Sequence, residues 1–381
     1  MTSALFQPIS LRGLALPNRI VISPMCQYSA EDGSATDWHM IHLGSLSLSG
    51  AGLLIVEATG VEPRGRITHR CLGLWSGANE AALARVIAAC RRYGNTPMGI
   101  QLGHAGRKAS VHPPQLGGRP LGPDEEPWTT VAPSPLPFEP DWHVPEALDR
   151  SGMDAVVAAF VQAVQRAARI GFDLVELHAA HGYLLSEFLS PLANRRDDDY
   201  GGSLKNRMRF PLDVFEACRA AWPADRPMGV RCNGSDWQEG GLEPDDAVAF
   251  ARALKSLGCD YVDVSSGGNV NARIPLRPGY QVPFAARVKA EAGIPTMAVG
   301  MIREPRLAEK IVASGQADMV ALARGFLYEP RWAWRAAEEL GAEAAYPPQY
   351  ARAAPARWPQ AFAAVGGGMR RTEPEPERRD G

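Results

Sequence analysis

The sequence predicts an α/β protein, a (β/α)8 barrel, on three observations. Eight short apolar runs of strand type recur along the 381 residues. Patterns of helical period lie between them, and glycines such as Gly94, Gly171, Gly258 and Gly315 stand where those helices should end. The runs are continuously apolar rather than alternating, as expected of parallel strands buried on both faces.

The runs begin with Ile20–Met25, Leu53–Thr59 and Pro97–Leu102, and continue with Leu174–His178 and Met228–Asn233. Tyr261–Ser266, Pro295–Gly300 and Asp318–Arg324 complete the set. Helices are expected over Ala81–Tyr93, Met153–Ile170, Arg207–Ala221, Asp245–Leu257, Ala285–Ala292 and Pro305–Ser314. Eight such units close on themselves more naturally than they form an open sheet.

Residues 1–360 are read as one barrel domain, with residues 1–19 as a hairpin closing its bottom. Residues 103–150, after the third strand, are rich in Pro, Gly and Trp and too long for a plain connection, so they read as a capping loop or subdomain. Residues 361–381 are polar and Gly-rich and are expected to be a disordered tail.

Composition excludes several classes. Lys and Arg total 40 against 42 acids, so no net positive field invites nucleic acid or an anionic membrane. No apolar run reaches membrane-spanning length, and the start lacks the pattern of a secretory signal. Six scattered cysteines without a CxxC pair fit neither a disulfide framework nor a metal or iron–sulfur site. A cytoplasmic protein is expected.

In such barrels the chemistry sits at the C-terminal ends of the strands. The first strand ends in Ser23-Pro24-Met25-Cys26-Gln27-Tyr28, the second in Glu57-Ala58-Thr59, and the third in Gln101. The fourth ends in His178, followed by His181 and Tyr183. The fifth ends near Arg231 and the sixth in Ser265-Ser266-Gly267-Gly268. The last two end in Gly300 and in Ala323-Arg324-Gly325. Glycine and arginine after the last two strands suit a phosphate, which close backbone N–H groups and a forked guanidinium can hold. Gln101 and Arg231 can serve the polar edge of a flat heterocycle, and Met25 and Cys26 its ring. This outlines a flavin mononucleotide (FMN) site.

The motifs Ser23–Tyr28, Val56–Thr59, Gln101–Lys108, His178–Tyr183, Leu189–Phe210 and Pro348–Arg352 occur in one order. With them the chain resembles the old yellow enzyme family of FMN-dependent ene-reductases, in its bacterial YqjM-like and xenobiotic-reductase-like subclass. The resemblance implies tightly bound, non-covalent FMN held by Ser23, Pro24, Met25, Cys26, Ala58, Gln101, Arg231, Gly300, Ala323 and Arg324. It implies that His178 and His181 bind the carbonyl oxygen of an activated alkene, that a hydride passes from flavin N5 to the β-carbon, and that Tyr183 donates a proton to the α-carbon. Nitro compounds and nitrate esters are further substrates it suggests. Tyr28, Lys108 and Arg352 would contact substrate, with Arg352 reaching across a subunit interface of a homodimer or homotetramer. NADPH or NADH would be the reductant, in ping-pong order.

Each residue has a plainer reading. His178 alone reads as a core histidine, Tyr183 as a packing residue and Cys26 as a small buried hydrophobe; the strand-end position favours function for the first two, and the Ser-Pro-Met-Cys context a flavin-tuning role for Cys26. Arg231 could instead neutralise Glu57 or Glu176. His39 and His42 read as structural, and the charges of 194–202 as loop supports. Two rival enzymes remain: a flavin barrel related to dienoyl-CoA reductase, and a metal-dependent barrel hydrolase using both histidines. No third metal ligand is evident. A non-enzymatic flavin-binding scaffold would not need the proton donor.

Overall fold

A computed structural model describes residues 2–359 and 361. The predicted tail therefore lies, apart from Ala361, outside the described residues. The chain opens with an antiparallel hairpin of β1 (Ile9–Leu11) and β2 (Leu14–Leu16). The barrel begins with β3 (Ile20–Ile22), β4 (Leu53–Gly60) and β5 (Met98–Gly103). A small pair, β6 (Val131–Ala132) and β7 (Glu146–Ala147), lies within the long insertion. The barrel continues with β8 (Leu174–Ala179), β9 (Met228–Asn233), β10 (Tyr261–Ser265), β11 (Thr296–Ala298) and β12 (Met319–Leu322). All eight predicted runs form strands, each pairing in parallel with its neighbours, and β12 closes the ring onto β3.

The helices are α1 (Asp37–Ser47), α2 (Gly77–Tyr93), α3 (Arg150–Ile170), α4 (Leu184–Leu189), α5 (Leu204–Ala221) and α6 (Pro244–Ser256). They continue with α7 (Val282–Ala292), α8 (Pro305–Ala313), α9 (Arg324–Tyr328) and α10 (Trp332–Leu340). Local chemistry sets their ends. The Asp149 carboxylate accepts from Gly152 N at 2.7 Å to start α3, and Gly171 at φ +92° stops it. Within α3 the buried residues Met153, Val156, Phe160, Ala163, Val164 and Ala167 recur at helical spacing and face the barrel wall. No helix among the described residues is long and apolar enough to cross a membrane.

Strand alternation sorts the core into two layers. On β8, Val175 and Leu177 join the outer layer between strands and helices, whereas Leu174 joins the barrel interior. The interior floor is apolar: Leu11 and Leu16 of the hairpin pack on Val21, Leu53, Ile55, Met297 and Met319. The hairpin thus plugs the N-terminal end of the barrel, as predicted. Tyr261 fills the space that a side chain at Gly229 would need.

Phe160 is fully buried between α3 and the wall. Phe160→Ala is expected to lower unfolding free energy by about 3–5 kcal/mol through lost transfer energy plus the cavity. Chemical denaturation checks this; a loss below about 1 kcal/mol would mean the wall collapses to fill the space.

Candidate active site

Above its apolar floor the barrel carries a polar middle and a chemical rim. The middle holds Gln101 from β5, Glu176 from β8, Arg231 from β9 and Asp263 from β10, all buried. Gln101 Nε2 donates to Glu176 Oε1 at 2.8 Å, and the Tyr261 hydroxyl donates to Glu176 Oε2 at 3.1 Å. Arg231 Nε lies 3.2 Å from Asp263 Oδ2, an ion pair without hydrogen-bond alignment. The partner expected for Arg231 was Glu57 or Glu176. Instead Glu57 sits 3.4 Å from His39 and accepts from Gln27 N, while Glu176 is taken by Gln101 and Tyr261. Asp263 wins because it faces Arg231 directly across the β9–β10 pairing.

The rim is built by the turn that follows β8. Ala180 N donates to His178 Nδ1 at 3.2 Å, which leaves the ring proton of the neutral imidazole on Nε2. His181 Nε2 lies 2.6 Å from Ser265 Oγ. The two rings meet edge to face at 5.1 Å, and the Tyr183 ring meets His178 at 4.9 Å. Burial, then the nearby Arg231 cation, pushes both histidines well below their ordinary range, so both are neutral. Burial likewise pushes the Tyr183 phenol well above its ordinary value, so it keeps its proton. Two neutral imidazoles and a protonated phenol therefore share one cluster, His178 buried and His181 and Tyr183 half-buried at its mouth.

Backbone strain holds that cluster in place. His181 has φ +61°, a left-handed conformation unusual for a side-chain-bearing residue. Asn233 Oδ1 accepts from its N–H at 3.1 Å, and Lys108 Nζ donates to its carbonyl at 2.9 Å. Lys108 Nζ also donates to Gly268 O at 3.1 Å, bolting the turn after β8 to the turn after β10. Gly182, at φ +72°, lies so close to Gly268 that a Cβ would strike its carbonyl. Lys108 thus has its ammonium turned onto backbone carbonyls, 4.5 Å above the Phe138 ring of the 103–150 insertion. Withdrawal from water lowers it to about 8.

A cavity beside this cluster is lined by His178, Tyr183, Ala58, Cys71, His104 and Ile67. Cys26 is protonated, its thiol raised by burial and then by Cys71 and Glu57. Tyr28 is left-handed at φ +51°. The residues expected at the cofactor fit a flat, phosphorylated group. Ser23 Oγ and Arg231 Nε are buried without a hydrogen-bond partner among the described residues. Gly300 has φ +122°, and Ala323-Arg324 begin α9 with Arg324 exposed. Pro24 and Met25 lie half-buried just beyond β3. Arg352 is exposed on a 3-10 turn (Pro348–Ala353), which packs through Tyr350 against Trp334 and Arg331. Met301, just beyond Gly300, is half-exposed and left-handed.

Sequence reasoning did not single out Asn233, Asp263, Tyr261 or the 65–71 loop. Asn233 ends a predicted strand, and inward alternation from Arg231 would have found it. His39 takes the structural role expected: its Nδ1 accepts from Thr36 N at the start of α1. Asn194 likewise braces its loop by donating to Phe188 O and Tyr200 O. Among the described residues no group of three or more His, Cys, Asp and Glu side chains is placed to hold a metal ion.

The neutral histidines have a measurable consequence. Their folded pKa values are depressed, so below about pH 6.5 the unfolded chain binds protons that the folded chain refuses. Stability should fall with pH there by about 1.4 kcal/mol per unit for each ring. In denaturation from pH 7 to about pH 5, a His178→Asn/His181→Asn variant is expected to show a shallower fall than the parent. An equal fall would show that the rings protonate in the folded protein.

Residues 4–343 match the family model of the NADH:flavin oxidoreductase / NADH oxidase family. The NADPH dehydrogenase of Geobacillus thermodenitrificans is 44% identical over 92% of this chain and 99% of its own. The solved structure of morphinone reductase superposes at TM-score 0.75 with 29% identity, covering 90% of this chain and 91% of that one. The barrel also superposes on 2-naphthoyl-CoA reductase at TM-score 0.79 and 23% identity. The match covers 88% of this chain but only 52% of that protein, a likeness of fold alone. By sequence and barrel alike, the chain belongs to the NADH:flavin oxidoreductase / NADH oxidase family, as an FMN-dependent oxidoreductase of the old yellow enzyme type.

Proposed function

We propose that the protein reduces the activated carbon–carbon double bond of α,β-unsaturated carbonyl compounds, with NADPH as reductant. The observation that carries this reading is the cluster of two neutral imidazoles and one protonated phenol at the barrel rim. Ser23–Cys26, Ala58, Gln101 and Arg231 hold the flavin ring, and Gly300, Ala323 and Arg324 its phosphate. Bound FMN supplies the chemistry of hydride transfer, from the nicotinamide in one half-reaction and to the alkene β-carbon in the other.

The side chains do the rest. His178 donates its Nε2 proton to the substrate carbonyl oxygen. His181 Nε2 is engaged by Ser265 Oγ at 2.6 Å, and in the tautomer that carries its proton on Nδ1 the ring is the second donor. Both bonds strengthen as negative charge grows on that oxygen, which is where stabilisation accelerates the step. Neutral rings suit this role, since they keep the proton and polarise without trapping the product as a salt. Tyr183 gives its proton to the α-carbon. Tyr28 contacts the substrate, and Lys108 holds the His181–Gly182 turn in register. The protein assembles as a homodimer or homotetramer, and Arg352 serves the site of a neighbouring subunit.

Tyr183→Phe should slow reoxidation of the reduced enzyme by 2-cyclohexenone by about 10²- to 10⁴-fold. Reduction by NADPH, which needs no phenol proton, should be unchanged. Anaerobic stopped-flow separates the two half-reactions, and equal slowing of both would remove Tyr183 as donor. A simple phenol should bind over the flavin with a long-wavelength charge-transfer band. If His178→Ala/His181→Ala keeps that band at parental strength, the histidines are not the oxygen site.

A further inference from the structure

We propose that Glu176, deep in the barrel, is a positioning residue for the cofactor. Its protonation turns over the Gln101 side-chain amide, exchanging an acceptor for a donor at the flavin's pyrimidine edge, and couples one additional proton to reduction. This rests on the reading that Gln101 and Arg231 face that edge.

Glu176 is fully buried, and the structure surrounds it with few charges. Gln101 faces it from β5, Arg231 from β9, and Tyr261 and Asp263 from β10; Cys232 stands behind on β9. From β3, β4, β11 and β12 the floor offers the apolar side chains of Val21, Ile55, Met297 and Met319. Two buried carboxylates thus share one guanidinium. With both ionised, the barrel interior carries an uncompensated negative charge, which a low-dielectric interior disfavours. Asp263 holds the ion pair with Arg231, so the proton belongs on Glu176. Burial, then the Asp263 charge, raises Glu176 to about 8.

Geometry decides where that proton sits. Both oxygens of the carboxylate are already acceptors, one from Gln101 and one from Tyr261. A proton on Oε2 would make the Tyr261 oxygen the acceptor and strip its O–H of the one acceptor it has among the described residues. A proton on Oε1 meets Gln101, whose amide can turn over and accept it. The Gln101 amide bonds to nothing else among the described residues, so the turn breaks no further contact. Turning takes Nε2 away from Glu176 and puts it where the amide oxygen stood. Ionised Glu176 therefore sets the Gln101 oxygen towards the flavin, and protonated Glu176 sets an N–H there.

Reduction of the flavin brings two electrons as a hydride from the nicotinamide and adds negative charge near this edge. That charge favours the N–H orientation and hence protonated Glu176. The additional proton comes from solvent onto Glu176 Oε1 and returns to solvent on reoxidation. Glu176 is thereby less acidic in the reduced protein than in the oxidised one, and each state of charge stabilises the other.

The experiment is potentiometry of the holoprotein from about pH 6 to about pH 10, for the parent, Glu176→Gln and Tyr261→Phe. The parent's potential should steepen above about pH 8 by one proton per two electrons. Glu176→Gln should lose that break. Tyr261→Phe removes a donor to the carboxylate and should move the break to higher pH. Superimposable slopes for parent and Glu176→Gln overturn the proposal. Infrared spectra of the apoprotein supply a readout without flavin. The difference between parent and Glu176→Gln should contain a carboxylic-acid band that vanishes over the same pH window. Its absence at every pH overturns the proposal. Gln101→Ala tests the underlying reading separately: FMN affinity should fall about tenfold or more, about 1.4 kcal/mol. An unchanged affinity removes Gln101 from the flavin and the proposal with it.

Discussion

Closure of the sheet is the constraint from which the rest follows. β12 pairs with β3 through Val320–Ile20, Ala321–Val21 and Leu322–Ile22, and no strand of the ring is left with an unpaired edge. Because every pairing is parallel, every C-terminal strand end emerges on the same rim. Residues hundreds of positions apart, such as Ser23, His178 and Arg324, are brought towards one mouth by that geometry alone. Closure also creates a small enclosed interior, in which side chains can only stack in layers. Here the layers differ in chemistry: an apolar floor under the hairpin, a charged middle, and a rim of imidazole and phenol.

The charged middle is costly to a fold, and its tolerance shows how the structure compensates. Glu176 and Asp263 are essentially inaccessible to water. One is matched by Arg231 and the other by two neutral donors, so neither carboxylate is left without a polar neighbour. The rim carries strain of a different kind. His181 is held left-handed by contacts from three other segments: Asn233 at the end of β9, Lys108 after β5 and Ser265 on β10. A turn fixed from three sides presents its imidazole in one orientation without having to order it when substrate arrives.

Much of the fold was legible because its signals are local. The apolar runs and the helix-ending glycines each act within a few residues of where they stand, so the strands and principal helices fall where periodicity puts them. The strand ends named as candidates were legible for the same reason, since the barrel maps the end of a run onto the rim. The short helix α4 was less legible. All six of its residues are buried, so it shows no amphipathic face from which a period could be read. The family resemblance put Lys108 among the substrate contacts; its ammonium is bound to the carbonyls of His181 and Gly268, acceptors that no sequence pattern advertises.

The sequence by itself determined the number of βα units, the order of the strands and the list of groups able to do chemistry. These depend on hydrophobic periodicity and residue type, which are properties of a segment. Only the tertiary structure decided which group answers which. It paired Arg231 with Asp263 rather than with Glu57 or Glu176 and hung Glu176 between Gln101 and Tyr261. It also made both histidines neutral by burying them beside a cation. Pairing and burial depend on distances between strands that are remote in the chain, and those distances come into being only when the barrel closes.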